Sequence, residues 1–124
     1  MWPPFELLIN KFMNLIDGDF ISYQNIVELK KIIGVYIVYN PNTEYLYIGS
    51  TKNFNVRFGT DLTHESTHTL IRKLIKNEGF SNRTEAIHYL RNNCKFKIEK
   101  CATKREAETL EHIAIYLLNP KLNH

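Results

Sequence analysis

The chain has 124 residues, of which 44% are hydrophobic and 23% charged, with a formal net charge of +3. That is one domain, long enough for an ordinary core without disulfide or metal staples and too short to add a second catalytic or recognition domain. No apolar run reaches membrane-spanning length, and Glu6 and Asp17 break the N-terminal stretch where a leader would need an apolar centre, so a cytoplasmic protein without membrane contact is expected.

Residues 4 to 17 place Phe5, Leu8, Ile9, Phe12, Met13 and Ile16 at helical spacing, with Pro4 in the first turn and Gly18 past the end. A shorter helix is expected over about 23 to 31, and two strands over about 33 to 39 and 44 to 50. Asn40, Pro41, Asn42 and Thr43 make the reversal between them, with Pro41 at the second position of a type I turn. A short helix carrying Arg57 follows, then one from about Thr67 to Glu78 that stops at Gly79. The next covers about 82 to 92, opened by the capping-box spacing of Asn82 and Glu85. A third strand is expected at about 95 to 100, and a last helix runs from Thr103 to about Leu118, where Pro120 ends it. The order gives an α+β fold, a small three-stranded antiparallel sheet flanked by helices, with residues 1–32 as an N-terminal helical extension to a domain of residues 33–124. The extension reads as cover for one side of the sheet or as a dimer or DNA-contact element.

Cys94 and Cys101 bracket the third strand, which would hold them roughly 23 Å apart, beyond disulfide reach. Charge is uneven: residues 1 to 32 carry three lysines against four acids, and residues 33 to 124 carry thirteen Lys or Arg against nine acids. That is mild for a nucleic-acid binder and equally suits an ordinary soluble surface.

With the turn at residues 40–43, Tyr36 would lie opposite Tyr47. One face would then hold Gly34, Tyr36 and Val38 against Gly49, Tyr47 and Tyr45, and the other an aliphatic set of Ile33, Val35, Ile37 and Tyr39 against Ser50, Ile48, Leu46 and Glu44. The first face has two phenols beside two residues without side chains, which leaves the backbone open to close approach. A single strand tyrosine is ordinarily there for packing. Here the strand triplet Gly34, Val35 and Tyr36, the eleven-residue step to Tyr47, Ile48 and Gly49, the run Ser50 to Asn53 and then Arg57 together resemble the signature of the GIY-YIG nucleases, with Val35 where that motif has isoleucine.

The last helix offers the carboxylate that such chemistry needs. Glu111 sits at the edge of a core stripe of Leu110, Ile113, Ala114 and Leu117, with Ala107 and Ala114 on adjacent turns leaving room around it. Glu106 and Glu108 read as solvated surface acids. The resemblance assigns the metal-binding glutamate to Glu111, followed after nine residues by Pro120 and after twelve by Asn123, the family's late supporting asparagine. It covers about residues 33 to 123. It implies a DNA endonuclease with a single active site and one Mg²⁺ or Mn²⁺ ion on Glu111, a cofactor that keeps much of its hydration shell. Tyr36 would be the general base, Tyr47 would position water or phosphate, and Arg57, a planar and permanently charged fork, would bind the scissile phosphate. His64 is the candidate helper in proton transfer, although neither it nor His68 lands on the family's commonest spacing. Gly49, Ser50, Lys52, Arg72, Lys73, Lys76, Lys95, Lys97, Lys100 and Lys104 are candidates for nucleic-acid contact, giving affinity without sequence selectivity. A homodimer or partner protein would have to supply double-strand cutting or specificity.

Two other readings compete. His64, Glu65, Ser66, Thr67 and His68 match the zinc-protease pattern H-E-x-x-H, which needs both imidazoles on one helical face. Ser66 and Thr67 are poor helix formers and good caps, so the helix is expected to start inside the motif, and a third ligand would have to come from Glu85 or His88. The non-enzyme reading is a nucleic-acid-binding module that has lost catalysis, against which stands the presence of Tyr36, Tyr47, Arg57, Glu111 and Asn123 together.

Overall fold

The computed structural model describes residues 5–60 and 69–123. Helices α1 (Phe5–Asp17) and α2 (Tyr23–Val27) precede strands β1 (Gly34–Tyr39) and β2 (Tyr45–Thr51). A π-helix (Val56–Thr60), α3 (Thr69–Glu78), α4 (Arg83–Asn92), β3 (Lys95–Lys100) and α5 (Lys104–Leu118) follow. The three strands form one antiparallel sheet in the order β2-β1-β3, flanked by helices as expected. None of the described helices is long and apolar enough to cross a membrane, and both cysteines are free thiols.

The local signals act where elementary chemistry puts them. Ser22, Asn82 and Thr103 cap α2, α4 and α5 by accepting from backbone N–H groups three residues on. Gly79, at φ 78°, follows the end of α3, and Asn119 closes α5 in the left-handed region, φ 47°, just before Pro120. Helix α2 ends at Val27, not near residue 31, because the chain turns through a left-handed Lys31 and its peptides bond to the segment after β2 instead.

The sheet splits the core in two. On one side Tyr36, Val38 and Leu46 pack with Phe54, Phe58, Phe96 and residues of α2, α3 and α4. On the other, Val35, Ile37, Tyr39 and Ile48 pack against Leu15 of α1 and Ala107, Leu110 and Ala114 of α5.

The hairpin register differs from the simple expectation. Tyr36 pairs with Gly49, Val38 with Tyr47 and Gly34 with Thr51, two residues out from the expected partners. Two one-residue insertions produce this. The turn at Asn40 does close with Thr43 N–H donating to Asn40 O (2.9 Å), but Thr43 takes φ 61° and the next pair becomes Asn40 with Glu44. The side chain of Asn40 stabilises the extra residue by accepting from the N–H groups of Asn42 and Glu44. A bulge then passes Leu46 to the face of Tyr36 and leaves Tyr45 on the other, the reverse of the expected assignment. The shift of two restores the parity that puts Tyr36 and Tyr47 on one face.

Two helix faces are also rotated from expectation. In α5 the buried positions are Ala107, Leu110 and Ala114, with Ile115 and Leu118 partly buried, while Leu117 is 57% exposed. Apolar residues surround the C-terminal half of this helix, so periodicity alone does not choose a face; the alanine side is the one that can approach the sheet closely. In α1, Leu8 and Leu15 are buried, and Phe5, Ile9 and Met13 face solvent. Lys11 lies on the inner side, its Nζ donating to Lys100 O (2.9 Å) and standing 3.6 Å from Glu99 and Glu106 carboxylates. Glu106 is therefore an ion-paired, half-buried residue and not a solvated one; it also accepts from Ala102 N–H (3.2 Å).

Candidate active site

The site forms where β2 loses its outer cover. As an edge strand, β2 offers a row of peptide groups away from β1, and the chain after α5 returns along them. Lys121 N–H donates to Tyr45 O (3.1 Å) and Leu122 N–H to Leu46 O (2.9 Å). Asn123 completes the run with its side chain: Nδ2 donates to Ile48 O and Oδ1 accepts from Ile48 N–H, both at 2.8 Å. Past Ile48, the edge borders a cleft of about 210 Å³ lined by Tyr36, Tyr47, Gly49, Ser50, Thr51, Lys52, Arg57, Lys104, Ala107, Glu108 and Glu111.

Tyr36 enters this cleft from the middle strand. It is only 1% exposed, and its ring packs edge-on to Phe54 and Phe58, with centroids 6.1 and 4.9 Å away. The two glycines of the signature serve neighbours within the fold. A Cβ at Gly49 would stand 2.4 Å from Tyr36 Oη and 2.6 Å from its Cζ, so Gly49 makes the space in which the phenol lies. A Cβ at Gly34 would stand 2.2 Å from Glu99 O, so that glycine admits β3. The open backbone read from the sequence is thus occupied at both positions.

Tyr47 lies beside Tyr36, ring centroids 6.3 Å apart. Burial, helped by the Tyr47 phenol, raises the pKa of Tyr36 far above that of a free phenol; Arg57 opposes the shift and Glu111 adds to it. Tyr47 is raised as well, chiefly by burial and then by the Glu111 carboxylate, with Arg57 and Arg72 opposing. Both phenols keep their protons at neutral pH.

Arg57 is carried by the π-helix, a rare geometry that often marks functional positions. Phe54 and Phe58, three residues before and one after it, are fully buried under the sheet and anchor the segment. Arg57 Nε is buried with no hydrogen-bond partner among the described residues. An unpaired guanidinium N–H is costly to bury and calls for an acceptor that arrives from outside.

Glu111 reaches the cleft from α5 between the buried Ala107 and Ala114. Its Oε1 accepts a hydrogen bond from Ser50 Oγ, and no other hydrogen bond reaches the carboxylate among the described residues. Ser50, read from the sequence only as a nucleic-acid contact, is thus tied to the candidate metal ligand. Among the described residues there is no group of three or more His, Cys, Asp or Glu side chains that could hold a metal ion together. Glu111, with one oxygen engaged and only Glu108 as a second acid on the cleft lining, fits a hard cation that keeps most of its water, and does not fit a zinc cage.

Of the candidate basic contacts, the structure brings Lys52 and Lys104 to the cleft. Arg72, Lys73 and Lys76 lie on α3, with Lys73 Nζ donating to Leu122 O (2.6 Å). Lys95, Lys97 and Lys100 belong to β3, the strand on the far edge from β2, and Lys97 is engaged with Ile16 O (2.6 Å) and the rings of Phe20 and Tyr39. His64 and the whole run from His64 to His68 lie outside the described residues. Sequence reasoning passed over Phe54 and Phe58, although their spacing of four around Arg57 is a helical signal; nothing in sequence spacing points to the Ser50 to Glu111 bond.

Comparison with known proteins bears on the fold and the family. A family model described as the GIY-YIG catalytic domain matches residues 32–123. No curated protein matches the chain. Among solved structures, the GIY-YIG N-terminal endonuclease domain of UvrC from Thermotoga maritima, in a crystal structure with its catalytic divalent cation magnesium, superimposes with a TM-score of 0.56 at 23% identity, covering 82% of this chain and 93% of that one. Two tyrosine-to-phenylalanine point mutants of the same domain, also with the divalent cation, match at 0.56 with 23% and 22% identity, again over 82% of this chain and 92% of each of theirs. With the family model spanning most of its length and the same three-stranded sheet and flanking helices, the chain belongs to the GIY-YIG family.

Proposed function

We propose that this protein is a Mg²⁺-dependent DNA endonuclease that hydrolyses one phosphodiester bond at a time, with residues 33–124 as the nuclease unit. The observation that carries the reading is the meeting of Tyr36, Tyr47, Arg57 and Glu111 in one cleft, from four different elements. Packing alone gives no reason to bring an unpartnered guanidinium N–H and a carboxylate to two buried phenols.

Phosphodiester hydrolysis needs an activated water in line with the leaving oxygen and positive charge on the phosphoryl oxygens as negative charge grows there. Arg57 would donate to the scissile phosphate and give its orphan Nε–H an acceptor. Glu111 would hold Mg²⁺ through the oxygen not taken by Ser50. When bound, the ion would supply positive charge at the phosphate and lower the pKa of its waters.

Tyr36 would take the proton from the attacking water. Because burial holds it as a neutral phenol, it can accept that proton only while handing its own hydroxyl proton to a non-bridging oxygen of the scissile phosphate, from which it would pass to the leaving oxygen, which makes it a relay and not a free phenolate base. Tyr47, next to it, would orient the water or the phosphate. Lys52 and Lys104, at the mouth of the cleft, would contact flanking phosphates without reading sequence.

The test is incubation of the purified chain with supercoiled, linear, branched and single-stranded DNA in Mg²⁺ and Mn²⁺, with Tyr36→Phe and Glu111→Ala beside the wild type. Cation-dependent cutting lost in both variants, with DNA binding retained, supports the reading. Binding without cutting of any substrate would leave a nucleic-acid-binding module.

A further inference from the structure

The segment before β1 is bonded to both ends of the turn that carries Arg57. On the near side, Asn55 N–H donates to Leu29 O (2.9 Å) and Asn55 Nδ2 to Val27 O (2.5 Å). Lys31 N–H donates to Asn53 Oδ1 (3.1 Å), which also accepts from Asn55 N–H (3.1 Å). On the far side, the hydroxyl of Tyr23 donates to the main-chain oxygen of Phe58, the residue next to Arg57. Tyr23 is itself pinned: its ring meets Phe58 and Phe96 edge-on at 6.1 and 6.2 Å, and the Arg91 guanidinium lies over it, 5.3 Å from the centroid. The neighbouring Ile21 is bridged to Phe96 of β3 by a reciprocal pair of backbone bonds, 2.8 and 3.1 Å. All of these anchors, Ile21, Tyr23, Val27, Leu29 and Lys31, precede the family-matched residues.

We infer that residues 21–31 are a positioning element for Arg57: a clamp, built from the N-terminal extension, that holds the π-helix in register with the cleft. The inference rests on the catalytic reading of Arg57 given above. π-Helical geometry is rare and occurs mostly as single turns, so this isolated turn depends on contacts from outside it. The clamp supplies them at Asn55, two residues before the arginine, and at Phe58, one after it, while Arg57 Nε has no partner among the described residues and is left for a ligand. Burial raises the Tyr23 pKa above that of a free phenol, with Arg91 partly opposing, so the hydroxyl is a donor throughout the neutral range. The extension is then part of the site and not only a cover for the sheet.

Two variants of the full chain test this. Tyr23→Phe keeps the ring packing and removes only the hydroxyl; Asn55→Ala removes the near-side side-chain bond to Val27 O and leaves the backbone bond to Leu29 O. The readouts are the kcat and KM for Mg²⁺-dependent plasmid nicking, taken well below the unfolding temperature, and the ¹⁵N–¹H resonance of Arg57 Nε–H, assigned by its loss in Arg57→Lys. The clamp predicts a kcat lowered roughly tenfold to a hundredfold in each variant with KM within about twofold. It also predicts an Arg57 Nε–H signal that moves to the position of solvent-exposed arginines, while core backbone signals stay in place. Wild-type kcat and an unmoved Arg57 resonance in both variants would overturn it. If instead Arg57→Ala nicks at the wild-type rate, the catalytic reading of Arg57 fails, and the resonance alone then decides whether the segment holds that side chain.

Discussion

Asn123 and Ile48 exchange two hydrogen bonds of 2.8 Å in which the side chain of one imitates the peptide of a neighbouring strand for the other. Ile48 stands between Tyr47 and Gly49, so the bond fixes the backbone from which one phenol projects and against which the other lies. Asn123→Ala removes both partners of a half-buried peptide. We predict a loss of about 1–3 kcal/mol in unfolding free energy by urea titration, and a nicking rate that falls further than stability alone accounts for. Asn123→Asp keeps the acceptor for Ile48 N–H but sets a carboxylate oxygen against Ile48 O in place of the donor, so it should lose at least as much as Asn123→Ala.

Gly49→Ala is predicted to be more damaging than a place on an edge strand would suggest. The added methyl would stand 2.4 Å from Tyr36 Oη, and Tyr36 is boxed in by Phe54 and Phe58. Displacing the ring should cost about 1–3 kcal/mol by urea titration and remove most nicking activity. A variant that is as stable and active as wild type would show that Tyr36 does not need its present position.

Ser50→Ala deletes the hydroxyl that engages Glu111 Oε1 and frees the carboxylate to rotate. Partners of metal ligands commonly govern affinity by tenfold to a hundredfold, so Mn²⁺ affinity measured by calorimetry should weaken by about tenfold. Ser50→Thr, which keeps a hydroxyl at the same atom, should recover most of it. Unchanged affinity in Ser50→Ala would leave the contact without a role in metal binding.

Stability should fall steeply in alkali. Burial pushes Tyr39 and Tyr89 up to about 12 and Cys94 up to about 12, from ordinary values of 10.0 and 9.0, and raises Tyr36 and Tyr47 as well. Each group binds its proton more tightly folded than unfolded. Their contribution is complete below the unfolded values and drains away as pH climbs from about 9 toward 12. The urea midpoint should therefore be nearly flat from pH 7 to 8.5 and drop progressively above pH 9.5; a flat profile to pH 11 would contradict this protonation pattern.

Much of the fold was legible because its signals are local. Two caps, Asn82 and Thr103, with Gly79 after α3 and Pro120 after α5, delimit helices by backbone chemistry that needs no tertiary partner. The antiparallel hairpin was legible for the same reason, but its register was not. The left-handed Thr43 and the bulge at Leu46 each add one residue, and neither position carries a glycine to announce it. In the site, Tyr36, Tyr47, Arg57, Glu111 and Asn123 were singled out by spacing and family resemblance. The structure brings the first four to one cleft and sets Asn123 behind it. Tyr23, Asn55 and the Ser50 to Glu111 bond were not legible, since each is a contact between residues 28 to 61 positions apart that no pattern along the chain encodes.

Glu111 is the carboxylate proposed to hold the ion on which cutting depends. That role is tested most directly by the rate of supercoiled-plasmid nicking in Mg²⁺, wild type against Glu111→Ala, at DNA concentrations where gel shifts show equal occupancy. The account predicts cutting that disappears on chelation and is at least about a hundredfold slower in Glu111→Ala, with binding unchanged. Nicking at the wild-type rate by Glu111→Ala would contradict it.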